Sequence, residues 1–183
     1  SASGFMLMID SENLIMLFIG LEIGSISLYA LAGLNRGDKL SNEASLKYFL
    51  LGSLASCILI YGVSLVYVSF SVFSVYNFAL GLAYVGPDSV PLTTSIGVLL
   101  IFIGLLFKIA AAPFQSWAPD VYQGSPTGYV GFMSSIAKAS SFIVIARLCL
   151  VSINFIIEDF NIFFLIVIIS SALIGSLFAS IQE

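Results

Sequence analysis

Five apolar runs, each long enough to cross a bilayer and almost free of charge, decide what this chain can fold into. They cover residues 13–34, 46–73, 95–117, 128–151 and 160–180. A helix needs about 20 residues to span a hydrocarbon core roughly 30 Å thick. Lipid offers no hydrogen bonds, so each run must satisfy its own backbone, which a helix does. Only 9% of the 183 residues are charged, against roughly 25% in a soluble domain. Lipid is therefore the solvent over most of the length. The expected fold class is an all-α membrane protein, a single domain over residues 1–183 with about five transmembrane helices.

The connections refine this. Residues 35–45 form a polar loop with Arg36, Asp38, Lys39 and Glu43. The 46–73 run has Lys47 at its mouth; it exceeds the spanning minimum and is expected to tilt. Residues 74–94, broken by Gly81, Gly86, Pro87 and Pro91 and carrying Asp88, read as a loop with a short interfacial helix over 77–85. Pro119, Asp120, Gly124 and Pro126 give 117–127 the chemistry of a turn. Residues 4–9 read as the tail of a further helix, as in a processed, split or partly represented chain. Arg36, Lys39 and Lys47 outweigh Arg147, which stands beside Glu158 and Asp159 on the other side. The positive-inside rule then turns 35–45 towards cytoplasm or matrix, with 117–127 on the same side.

Several chemistries are excluded. The chain has no histidine, no CxxC and no glycine-rich phosphate loop, and its net charge of −4 leaves no basic patch. No nucleic acid is expected as a partner, and no metal or cofactor is expected to be bound by this chain. Cys57 and Cys149 each sit within an apolar run and read as small packing residues.

The charges inside the runs are the functional signal. Glu22 lies nine residues into its run, about 14 Å deep at 1.5 Å per residue. Lys138 is about 15 Å and Lys108 about 20 Å from the start of theirs. Left facing lipid, each costs roughly 2.5–3.5 kcal/mol, together roughly 7–10. That is comparable with the whole stability of a domain. They must face the bundle interior, pair, or line a hydrated cavity. A Glu–Lys pair pinning two helices is the plain structural alternative. Three charges on three helices at matched depth fit a proton relay better, because protons hop between titratable groups. Lysine suits that task, since burial disfavours its charged form and a nearby carboxylate favours it.

Pro113 lacks an N–H and clashes with the carbonyl of Ile109, which breaks the helix just beyond Lys108. Ala110, Ala111 and Ala112 before it permit close helix approach. Broken spans are tolerated where protein or water satisfies the freed groups. At its helix mouth Lys47 has the stem to snorkel to the interface, and Arg147 reads similarly. Trp117, Tyr122 and Tyr129 read as interfacial aromatics.

These residues carry a resemblance. The stretch 107–127, FKIAAAPFQSWAPDVYQGSPT, resembles the signature of the antiporter-like membrane subunits of respiratory complex I, in the form of the subunit 2 branch of NADH dehydrogenase. Gly20-Leu21-Glu22 with Ser27-Leu28-Tyr29, the stretch 43–53, and Ala137-Lys138-Ala139 agree with it. The resemblance implies the first half of an inverted repeat, with a second half supplied by another chain or region beyond Gln182 and Glu183. It implies that Glu22 modulates Lys108 on the broken helix, that Lys138 passes protons along the central axis, and that Lys47 is a further relay residue. Glu22 and Lys108 are then expected in direct contact or joined by one water. Gln115 and Gln123 depart from the family, which commonly has histidine and glutamate there.

The implied function is proton translocation in the membrane arm of NADH:ubiquinone oxidoreductase. This chain would be a non-redox part of that enzyme, with FMN, iron–sulfur clusters and ubiquinone handled by other subunits. Its partners would be lipid and the other membrane subunits of complex I, and its location the mitochondrial inner membrane or, alternatively, a bacterial plasma membrane. A sodium/proton antiporter subunit and a scaffold that no longer pumps are the competing readings.

Overall fold

The computed structural model describes residues 1–152 and 157–181. Nine α-helices are found among them: α1 Ala2–Asp10, α2 Leu14–Ala32, α3 Lys39–Phe70, α4 Val75–Val85, α5 Leu92–Ile109, α6 Trp117–Gly124, α7 Thr127–Phe132, α8 Lys138–Arg147 and α9 Ile157–Ile181. Five stretches are long and apolar enough to cross a membrane: Leu14–Ala32, Lys39–Phe70, Leu92–Gly124, Thr127–Val151 and Phe160–Phe178. The all-α membrane fold is thus confirmed. The expected link between the last two spans includes residues 153–156, which, like Gln182 and Glu183, lie outside the described residues.

Several boundaries differ from expectation by a few residues, and three of them have a clear local reason. The helix expected from residue 46 begins at Lys39, because the Asp38 carboxylate accepts the N–H of Leu40 at 3.0 Å and caps it. Its first turns are then held against the end of α2. Ser41 donates to the Ala32 carbonyl and Ser45 to the Tyr29 carbonyl, each at 2.8 Å. Second, the helix over 77–85 begins two residues earlier, at Val75, with Ser74 as its side-chain cap. Third, residues 117–124 are helical: the broken span resumes as α6, and the turn falls at Ser125 and Pro126.

The core is built where α3 lies along α5 and α2 lies against α1 and α3. Leu17, Leu21, Leu28, Leu59, Val63, Phe102 and Leu105 are fully buried there. At one end, Leu14 donates to the Phe73 carbonyl and Val75 to the Glu12 carbonyl, both at 2.8 Å. The start of α2 is thereby fastened to the start of α4. Span α9 joins through Phe164, edge-on to Phe102 at 5.0 Å. It turns Ile162, Leu165, Ile169 and Leu173 outwards, as do helices solvated by lipid. Cys57 is exposed on the outer face rather than packed inside, and both cysteines are free.

Candidate functional site

The break in the third span organises the site. α5 ends at Ile109, and Ala110 takes a left-handed conformation at φ 57°. Pro113 prevents the ladder from resuming at once, so the freed groups need other partners. Protein supplies them: the carbonyl of Phe107 accepts the Trp117 indole N–H at 3.0 Å, and the N–H of Ala112 donates to Ser171 of α9 at 2.9 Å. Trp117 is 3% exposed and stacks on Tyr48 at 4.7 Å. It is a core residue, contrary to its reading as an interfacial aromatic, because the helix continues past the break and carries it inwards.

Lys108, the penultimate residue of α5, is 7% exposed. Its ammonium donates to Ser25 Oγ and Tyr29 Oη, each at 3.0 Å. Glu22 is held separately by the hydroxyl of Ser56 on α3. The direct Glu22–Lys108 contact is therefore not made, and the ion pairs found among the described residues both belong to Lys47. Helix geometry gives the reason. Ser25 and Tyr29 lie three and seven residues beyond Glu22, about 4.5 and 10 Å along the axis on the same face of α2. The ammonium meets that face beyond the carboxylate, at the hydroxyls. Spacing of Ser25 and Tyr29 from Glu22 was the signal in the sequence, hidden because hydroxyls do not stand out among apolar residues as charges do.

Lys47 is neither buried nor merely snorkelling. Its ammonium bridges Glu43 one turn back and Asp120 of α6, both at 2.7 Å. A small recess lined by Leu40, Glu43, Lys47, Asp120 and Gln123 opens beside it. The start of α3 and the half-helix after the break are thus tied together, so 35–45 and 117–127 lie at the same end of the bundle, as expected. Tyr48, next to Lys47 in the chain, packs on both Trp117 and Tyr29, each at 4.7 Å.

Lys138 is half-buried and follows a π-helical turn, Met133–Ala137. Such turns rotate the register of a helix and occur often at functional sites. The ammonium stands over the ring of Tyr122, 5.4 Å from its centroid, a cation–π geometry. The hydroxyl of Tyr122 and the side-chain oxygen of Gln115 are buried without a hydrogen-bond partner among the described residues. Between the two lysines runs an aromatic series, Phe107 on Trp117 at 5.5 Å and Trp117 on Tyr122 at 6.1 Å. The structure thus brings Glu22 and Lys108 to one face of α2, and sets Lys47 and Lys138 apart from them.

Known proteins bear on this arrangement. The chain is 42% identical over 180 residues to NADH-quinone oxidoreductase subunit N of Trichlorobacter lovleyi, covering 98% of this chain and 37% of the relative. It is 47% identical over 160 residues to subunit N 1 of Chloroherpeton thalassium, covering 86% and 32%. It spans about a third of the length of these curated relatives. Among solved structures it resembles respiratory complex I from Thermus thermophilus with bound aureothin, at TM-score 0.68 and 37% identity over 79% of this chain and 31% of that one. It also resembles the membrane-bound sulfane sulfur reductase, an archaeal respiratory membrane complex, at TM-score 0.70 and 31% identity over 79% and 29%. The family described as NADH:quinone oxidoreductase/Mrp antiporter, transmembrane, matches residues 11–183. With that match across all five spans and the broken third one, the chain belongs to this antiporter-like membrane family.

Proposed function

We propose that this chain is part of a proton-translocating, antiporter-like subunit of an NADH:quinone oxidoreductase, of the subunit N or subunit 2 type. The observation that carries the reading is the Lys108 ammonium, buried beside a helix break and hydrogen-bonded, among the described residues, to the neutral hydroxyls of Ser25 and Tyr29. A lysine so placed can serve as a proton carrier, with two hydroxyls to hold its nitrogen and the Glu22 carboxylate one helical turn from Ser25 on the same face of α2. Glu22, one helical turn from Ser25 and held by Ser56 on α3, is the modulator. Movement of its carboxylate towards Lys108 favours the ammonium, and withdrawal favours release of the proton. Lys138, over Tyr122, is the next carrier along the bundle. Lys47 with Glu43 and Asp120 forms the charged cluster at the aqueous end.

The chain itself binds no redox group in this reading. FMN, iron–sulfur clusters and quinone belong to partner subunits, and a longer region or another chain completes the antiporter-like unit. The bacterial sources of the relatives favour a bacterial plasma membrane over the mitochondrial inner membrane. Purification through a tag on this chain, followed by reconstitution into vesicles, tests the assignment. NADH-driven quinone reduction with acidification of the vesicle lumen is expected. Sodium/proton exchange without NADH oxidation would assign the chain to an antiporter, and electron transfer without acidification would make it a scaffold.

A further inference from the structure

Gly52 of α3 faces Tyr29 of α2 so closely that any side chain there would collide with the phenol. A Cβ at position 52 would fall on Tyr29 Oη and lie 2.7 Å from Cζ. The phenol must shift to make room for a Cβ at position 52, and its hydroxyl shifts with it. The ring is buried, edge-on to Tyr48 at 4.7 Å and to Phe49 at 5.9 Å. Its hydroxyl is one of the two oxygens that hold Lys108, and Ser25, 1% exposed, supplies the other.

We propose that Tyr29 and Ser25 are positioning residues for the Lys108 ammonium, and that Gly52 is the steric determinant that admits the Tyr29 hydroxyl to it. The inference rests on the reading of Lys108 as a proton carrier and adds how the carrier is held. A hydroxyl accepts from an ammonium and, after rotating, donates to a neutral amine. A carboxylate can only accept, so it has no O–H to offer the lone pair of the neutral amine. When Nζ gives up its proton to the next acceptor, an O–H of Tyr29 or Ser25 turns to donate to the exposed lone pair. Neither oxygen ionises, and the amine stays in place for the next proton. Two neutral oxygens therefore keep the nitrogen aligned through the whole cycle. Glu22, anchored on Ser56, remains separate to set the balance between the two states.

The test uses the complete complex in vesicles, with Tyr29→Phe, Gly52→Ala and Lys108→Met compared at equal assembled content. Tyr29→Phe keeps the ring and its packing and loses one oxygen. A hydrogen bond to a charged group corresponds to roughly a ten-fold effect or more, so the coupled rate should fall by about that factor. Gly52→Ala should act in the same direction, although it removes no polar group at all. In both variants the pH profile of the coupled rate should move from that of the wild type. The double variant should be little worse than the poorer single one, because both act on one oxygen. Should Gly52→Ala fail to assemble, Tyr29→Phe, which adds no atoms, decides the matter. Wild-type rate and an unmoved profile in Tyr29→Phe, with Lys108→Met slow, would overturn the positioning role and leave the lysine's role intact. An undiminished Lys108→Met would overturn both.

Discussion

Replacement of Gly20 by alanine tests whether α1 and α2 are seated as closely as the structure shows. A Cβ at this position would lie 2.6 Å from the Met8 nitrogen, 2.8 Å from the Gly4 carbonyl oxygen and 2.9 Å from the Met8 Cα. All three are backbone atoms, so no rotamer change makes room and α1 must move as a body. Overpacking of this kind costs about 1–3 kcal/mol, with rigid backbone neighbours placing it near the upper end. Alanine returns about 1 kcal/mol in helix propensity, leaving a net loss of about 2 kcal/mol. Gly175 in α9 is the control, since a Cβ there meets nothing within 4 Å. The assay is thermal dissociation of the purified complex, followed by loss of this chain from the assembly. Gly20→Ala should dissociate at a lower temperature than wild type, and Gly175→Ala should not. Equal stability of Gly20→Ala and wild type would refute the close seating of α1 on α2, and with it the placement of Glu22 two residues on.

Arg147 donates to the carbonyls of Ile9 and Ser11 at 2.6 and 2.5 Å, closing the end of α1. Arg147→Met should cost roughly 1.5–3 kcal/mol, read as earlier thermal dissociation and faster proteolysis at residues 10–13. For the surface cluster, Lys47→Asp and Asp120→Lys should each lower the coupled rate, and the exchanged pair should restore most of it. No recovery in the exchanged pair would mean that the 2.7 Å bridge is not what joins α3 to α6.

How far this arrangement could be read from residues alone differs from feature to feature. The spans were legible because each apolar run is long and its few charges stand out. Helix starts were less so: Asp38 and Ser41 look like loop residues until their side chains are seen capping α3 and the end of α2. Pro113 announced the break, but the continuation through Trp117–Gly124 was obscured by Pro119, which is harmless in the first turn of a helix because its missing N–H has no partner there. Glu22, Lys108 and Lys138 were found through the cost of burying charge. That same reasoning gave pairing, an interior position or a hydrated cavity as remedies, and did not name hydroxyls as partners. Ser25, Tyr29 and Ser56 supply another remedy, and a hydroxyl in a membrane helix ordinarily bonds its own backbone and so carries little signal. Asp120 as the partner of Lys47 was beyond reach, because the two are 73 positions apart.

The most direct measurement is the number of protons delivered per NADH oxidised by complete, assembled complex carrying Lys108→Met. Methionine keeps most of the side-chain volume inside the bundle while removing the charge and the exchangeable proton. The account predicts normal assembly, a lower coupled rate and fewer protons delivered than in the wild type. Glu22→Gln should weaken translocation in the same direction, and the pair together should be little worse than Lys108→Met alone, since both act on one element. Undiminished protons per NADH in assembled Lys108→Met complex would contradict it and leave Glu22 and Lys108 as structural ties between helices.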